Sequence, residues 1–414
     1  MIRMTLAEVA AVVGGTVRDG DPRTAVTGAS HDAGRLRPGD LYVCLTGDPA
    51  EARAAGAVAV LTDRPGGGPA VVVGAVLPAY RRLASAVTTR LPEAYRIMVI
   101  GGGGRAAAAR LLGHVLARLG PAVPPRGGPT PAGVCETLLA ADDATRFVVT
   151  ELDAGRGGDI AALLAARPAA AVILGTHHIP EGRPSAGLGR GGTAAAGSGW
   201  DGSAPATGGL VEGLPAGAVA VLDADDPATA ALAGRTEARV VTFGRHRPAR
   251  VRAERIVLDG RARARFVLHT PVGSAEVALR LHGEAPVAAA LAAAAVALDH
   301  THDVWLIADA LGTVDPGPRG AGGLTVVEER PDGVTVLDAT GDGTPEVVLA
   351  ALRTALSVAA GRRRTVAVLT GLGDEDRIRE AALRMGIDEV IAAGAQARPG
   401  DVVLLAGESV RASG

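Results

Sequence analysis

Short β-branched runs alternate with alanine-rich, helix-spaced stretches along the whole chain, and that alternation predicts an α/β fold with mainly parallel sheets. An amphipathic stretch, Leu6 to Val13, opens it, and Asp40-Leu-Tyr-Val-Cys-Leu45 reads as a strand. Strand-like runs at 57–61 and 70–73 follow, then a helix from about Leu77 to Leu91 that Pro92 ends. A buried strand, Ile97-Met-Val-Ile100, leads through Gly101, Gly102, Gly103 and Gly104 into a helix from about Arg105 to Leu119. Further strands are predicted at 147–151, 171–174 and 219–222. Between the last two, Arg190 to Gly209 is rich in Gly, Ala and Ser and predicts a flexible loop that only Trp200 could pin. Val251 to Leu281 predicts antiparallel strands turning at Asp259-Gly260 and near Pro271-Val-Gly273. Helices at 287–298 and 304–311 come next, and the Pro/Gly-rich stretch Asp315 to Gly323 marks a boundary. The remainder repeats the alternation, with strands at 334–337, 365–369, 389–392 and 402–405 and helices from Pro345 and near Asp374 to Met385. Three domains follow from this reading: 1–92, 93–320 and 321–414.

The charge changes the picture by exclusion. With 42 basic and 44 acidic residues in 414, the chain lacks the excess of positive charge that a general nucleic-acid binder carries. Cys44 and Cys135 are the only cysteines, which argues against a disulfide framework or a cysteine zinc site. The start lacks the apolar core of a signal peptide, and no apolar run reaches the ~18 residues of a membrane span, so a cytoplasmic protein is expected. The chain contains no lysine and no asparagine, so every one of its 42 basic residues is arginine. A GC-rich composition accounts for much of that drift, yet drift cannot remove a lysine whose compact amine a reaction needs. At 2% aromatic residues, the core must be aliphatic.

Strand, glycine loop and helix in succession form the geometry that holds phosphate on free backbone N–H groups and the helix dipole. A working phosphate loop adds a lysine for the β- and γ-phosphates and a hydroxyl for Mg²⁺. Here the loop reads Gly101-Gly-Gly-Gly-Arg105-Ala106-Ala107, with arginine at the lysine position and alanine at both hydroxyl positions. Four other segments, in order, are similar to motifs of the Mur ligases. Arg37-Pro-Gly-Asp-Leu-Tyr-Val43 resembles that family's "RPGDLFVAL", and Glu151-Leu-Asp-Ala-Gly-Arg-Gly-Gly-Asp-Ile160 resembles "ELGANxxGEI". The run Gly213 to Asp226 resembles "GLPxxGxAVLNADD", and Arg398-Pro-Gly-Asp-Val-Val-Leu404 resembles the family's last strand. The resemblance runs from about Arg37 to Gly407 and lies nearest the branch that adds D-Ala-D-Ala to a UDP-muramoyl-tripeptide. It implies a UDP-substrate domain at 1–92, a central ATPase-type domain at 93–320 and a C-terminal dinucleotide-fold domain at 321–414.

The departures fall on the working parts. The family loop "GTNGKTT" has become the degenerate Gly101 to Ala107. The resemblance places Glu151 and His178 at two metal-ligand positions, both retained, and aligns the carbamylated lysine with Thr207. It aligns the adenine-pocket asparagine with Asp223, "GRHN" with Gly283-Glu-Ala-Pro286, and "DDAYNANP" with Asp338 to Pro345. "KGSR" reads Ala406-Gly-Glu-Ser409, and the UDP-contacting "DSR" reads Asp32-Ala-Gly34. ATP and Mg²⁺ use is therefore expected to be lost, with Glu151 and His178 as remnants and no catalytic residue assigned. The glycine loop with Arg105 and Asp223 remains as a candidate anion or nucleotide site, although Arg105 reads equally as a solvated helix-start arginine. His300-Thr-His302-Asp303 reads as an inter-helix turn rather than a metal pair, and Arg362-Arg-Arg364 as a solvated approach to a strand. Three functions stay open. The chain is a homologue that binds a protein partner, such as an active Mur-type ligase, or a nucleotide-linked ligand; an enzyme with ATP-independent chemistry in the cleft; or an unorthodox amide ligase.

Overall fold

A computed structural model describes residues 1–64, 66–101, 104–152, 167–175, 205–246, 248–315, 325–340, 345–361, 363–372, 375–392 and 397–407. Three large sheets, with a two-stranded antiparallel pair of Met4–Thr5 and Ala25–Val26 beside them, organise these residues, and the α/β class with a mainly parallel central sheet holds. The first sheet runs in the order Thr16–Arg18, Ala70–Val72, Ala59–Thr62, Asp40–Val43, Gly28–Ser30, antiparallel only at its first pair. The helix Leu6–Val13 packs on it behind a capping box in which Thr5 and Glu8 satisfy each other's backbone N–H.

The central sheet has nine strands. Their order is Gly273–His282, Arg263–Thr270, Val251–Leu258, Arg239–Gly244, Val219–Asp223, Ala170–Ile173, Tyr95–Ile100, Phe147–Leu152, Ala122–Val123. Only the pairings among Val251–Leu258, Arg263–Thr270 and Gly273–His282 are antiparallel, as the turn residues predict. Alternate side chains of one strand feed two cores. Ile97 and Val99 point into the layer that holds the helices Arg105–Ala117 and Ala285–Ala297, while Met98 and Ile100 point into the opposite layer. The helix Ala285–Ala297 is buried on all sides, and its alanines let its backbone lie close against Arg105–Ala117.

The third sheet runs Val326–Glu329, Thr335–Thr340, Val402–Gly407, Thr365–Thr370, Glu389–Ile391, with the helices Pro345–Ala359 and Glu375–Met385 packed against it. The strands change sheet between Val72 and Tyr95 and again between His282 and Val326. The apolar cluster is nevertheless continuous across the first change, because Tyr80, Leu83 and Val87 of the helix Val76–Arg90 pack with Val134, Cys135 and Leu138 of the helix Pro131–Leu139. Among the described residues, no helix is long and apolar enough to cross a membrane.

Two sequence expectations need correction. The loop predicted over Arg190 to Gly209 ends early, because Pro205–Glu212 is a helix held down by buried Leu210 and Val211; residues 190–204, Trp200 among them, lie outside the described residues. The arginines before the strand Thr365–Thr370 are engaged rather than solvated. Arg364 pairs with Asp401 and Glu389, and Arg363 donates to the Gly400 carbonyl and the Thr335 hydroxyl. His300 does lie in an inter-helix turn, with its ring edge-on to Tyr95 and Phe147 at centroid distances of 4.4 and 4.9 Å.

Burial lowers the pKa of His114, His282 and His300 below the ordinary 6.5. The unfolded chain therefore holds their protons more tightly than the folded one. Their contribution to stability is complete above about pH 6.5 and falls as the pH drops below it. The urea midpoint is expected to be lower at pH 5.5 than at pH 7.5, with a smaller drop in His300→Leu. A midpoint that stays flat or rises toward pH 5.5 would contradict this.

Candidate functional site

The glycine loop leaves the C-terminal end of Tyr95–Ile100, a strand flanked by the parallel strands Ala170–Ile173 and Phe147–Leu152. Register places Glu151 beside Val99, at the same edge of the sheet as the loop. Gly101 has φ +149, and a Cβ there would lie 2.8 Å from both the Cβ and the carbonyl oxygen of Leu174, so the next strand's end leaves room only for glycine. The helix Arg105–Ala117 begins with Gly104 as N-cap and no side-chain cap. Gly102, Gly103 and His178 lie outside the described residues.

Arg105 folds back toward the strand end at Gly101. Its Nη1 donates to the Gly101 carbonyl at 2.9 Å, its Nε lies 3.7 Å from Oε2 of Glu151, and the residue is 5% exposed. The guanidinium is thus buried at the helix start, and the solvated alternative is overturned. Its neighbours Ala106 and Ala107 offer no hydroxyl.

Asp223 ends the strand Val219–Asp223, two strands from the glycine loop, a separation of about 10 Å from strand spacing. It is buried, and its Oδ1 accepts the backbone N–H of Asp225. The acidic run continues in the same local manner. Asp225 accepts the backbone N–H of Arg245 at 2.6 Å and lies 2.9 Å from His246 Nδ1, while Asp226 caps the helix Pro227–Ala231 and accepts the Thr229 hydroxyl. Glu284, at the family's "GRHN" position, pairs with Arg245. Thr207, aligned with the carbamylated lysine, is a buried hydroxyl without a hydrogen-bond partner among the described residues. Among those residues, no group of three or more His, Cys, Asp or Glu could hold a metal ion.

Sequence reasoning missed Asp225, Arg245 and His246 as members of this edge. The two basic residues follow the strand Arg239–Gly244, which periodicity did not single out, so nothing in the sequence tied them to the acidic run.

Comparison with known proteins gives this arrangement its class. A family model for the Mur ligase middle domain matches residues 202–297. The UDP-N-acetylmuramoyl-tripeptide–D-alanyl-D-alanine ligase of Mycobacterium tuberculosis is 34% identical over 444 aligned residues, covering 95% of this chain and 84% of that protein. The enzyme of the same name from Escherichia coli is 26% identical, covering 96% and 87%. The crystal structure of MurF from Acinetobacter baumannii matches with a TM-score of 0.76 at 22% identity, over 98% of this chain and 96% of that one. MurF ligase from Thermotoga maritima in complex with ADP matches at 0.67 and 17%, over 92% and 94%. The chain belongs to the Mur ligase family. Among the relatives that match over 95% of this chain are UDP-N-acetylmuramoyl-tripeptide–D-alanyl-D-alanine ligases.

Proposed function

We propose that this Mur ligase homologue has lost ATP-driven amide formation and acts in peptidoglycan precursor metabolism by binding a protein partner, such as an active Mur-type ligase. The buried position of Arg105 carries this reading. Its side chain turns back to the carbonyl of Gly101, where the glycine loop starts, and its contact with Glu151 engages the carboxylate that the family resemblance assigns to Mg²⁺. Ala106 supplies no hydroxyl to a metal, and Thr207 supplies no amine to carbamylate. The residues present do not fit ATP with Mg²⁺. Losing even one transition-state donor costs ~10²–10³ in rate, and several are missing together.

The edge of the sheet favours a protein partner over a nucleotide-linked ligand. Arg245 with Glu284, and Asp225 with the backbone and ring of residues 245 and 246, satisfy one another there. The purified protein is expected to show no ATP turnover with Mg²⁺, UDP-N-acetylmuramoyl-tripeptide and D-alanyl-D-alanine. Arg105→Lys combined with Ala106→Thr is expected not to restore turnover, because Thr207 and Glu284 remain. Calorimetric titration with ADP and with phosphate should show no binding at millimolar concentration. Steady turnover that Glu151→Ala abolishes would overturn the proposal in favour of an unorthodox ligase, and ADP binding would favour a nucleotide-linked ligand.

A further inference from the structure

The helix Val76–Arg90, from the first sheet's layer, and the helix Pro131–Leu139, from the central one, meet along an apolar seam that contains a buried carboxylate. Glu136 is 4% exposed, with Oε2 2.7 Å from His31 Nδ1 and Oε1 3.7 Å from Arg35 Nη1. His31 and Arg35 belong to the short segment after the strand Gly28–Ser30, where Asp32 caps the single turn Ala33–Arg35 and pairs with Arg35. Burial alone would push the Glu136 carboxyl up, but His31 and Arg35 more than offset it and hold its pKa below the ordinary 4.5.

The surroundings fit tightly around this contact. Gly127 has φ +69, and a Cβ there would lie 2.7 Å from His31 Cε1 and 3.0 Å from Glu136 Oε2. His31 is therefore wedged between a central-domain loop and a central-domain helix. Tyr80 lies edge-on to His31 with ring centroids 6.4 Å apart, and its buried hydroxyl has no hydrogen-bond partner among the described residues.

We propose that the Glu136–His31 contact is a latch that holds the first domain closed on the central domain, and that losing the carboxylate's charge lets this seam part while both domains stay folded. Removing one partner of a buried pair strands the other, and that penalty is large. Here the two partners belong to different domains, His31 following a strand of the first sheet and Glu136 lying on a helix packed on the central one. Parting the seam returns the stranded group to water without unfolding either sheet.

The seam carries its own reporter. Cys135 precedes Glu136 on the same helix, is buried, and has its thiol pushed up to about 12 by that burial, whereas Cys44 is partly exposed. Reaction of the full chain with an aromatic disulfide reagent at pH 8 should label Cys44 quickly and Cys135 slowly. Glu136→Gln keeps the shape of the side chain and removes its charge. It is expected to speed labelling of Cys135 at least tenfold, leave Cys44 unchanged, and give a Cys135 rate that rises with urea less steeply than global unfolding, because opening exposes the seam and not the two cores. His31→Gln should act in the same direction and carries the test alone if Glu136→Gln does not fold. A Cys135 rate unchanged in the folded variants, or a rise as steep in urea as global unfolding, overturns the proposal.

Discussion

Replacing Arg105 with alanine should destabilise the central domain by about 2–3 kcal/mol, far more than loss of a surface arginine, which costs about 0–1 kcal/mol. The substitution removes the donor to the Gly101 carbonyl and leaves the mostly buried Glu151 without its guanidinium. A buried carbonyl that loses its donor and a carboxylate that loses its cation each bear desolvation that the native contact offsets. The ion pair is not tight at 3.7 Å, which keeps the expected loss below the ~3–5 kcal/mol of a broken close pair. Neutralising the stranded group should then recover part of the loss, so Arg105→Ala with Glu151→Gln is expected to be more stable than Arg105→Ala alone. Urea denaturation of the four proteins in this cycle checks both statements. A single-variant loss under about 0.5 kcal/mol would mean that the guanidinium is solvated after all.

The interplay of Arg105 and Glu151 also shows where sequence reasoning stops. The strand Tyr95–Ile100 and the three antiparallel strands were legible because apolar runs and turn residues report local structure directly. The glycine loop's place at the sheet's edge followed from strand, glycines and helix in succession. The direction of the Arg105 side chain did not. It depends on Glu151, brought alongside only by the register of a parallel neighbour. The helix Pro131–Leu139 escaped for a different reason. Thr130 and Pro131 form a proper start signal, but Gly133, Cys135 and Thr137 are weak helix formers, and burial along most of the helix stabilises it. Missing that helix also hid Glu136, and with it the contact to His31. The family motifs carried the identity of the site's positions, while the altered residues' new partners became visible only once distant segments were placed together.

The largest loss from a single change should come from Phe147→Ala, at about 3–5 kcal/mol. Phe147 opens the strand Phe147–Leu152 between Tyr95–Ile100 and Ala122–Val123 and is fully buried. Its ring meets His300 edge-on and lies 5.0 Å from the Arg146 guanidinium carbon. In a chain with only three phenylalanines, the surrounding core consists mainly of Ala, Val, Leu and Ile, whose short side chains cannot swing into the space a ring vacates. Phe147→Leu retains most of the volume and should cost only about 1–2 kcal/mol. The cavity has a second consequence. Water admitted beside His300 relieves the burial that lowers its pKa, so the loss of stability between pH 7.5 and pH 5.5 should be smaller in Phe147→Ala than in the wild type. Denaturation midpoints at the two pH values test both effects in one experiment. A cost under about 1 kcal/mol for the alanine variant, with the acid-side loss unchanged, would show that this ring does not hold the strand and His300 together.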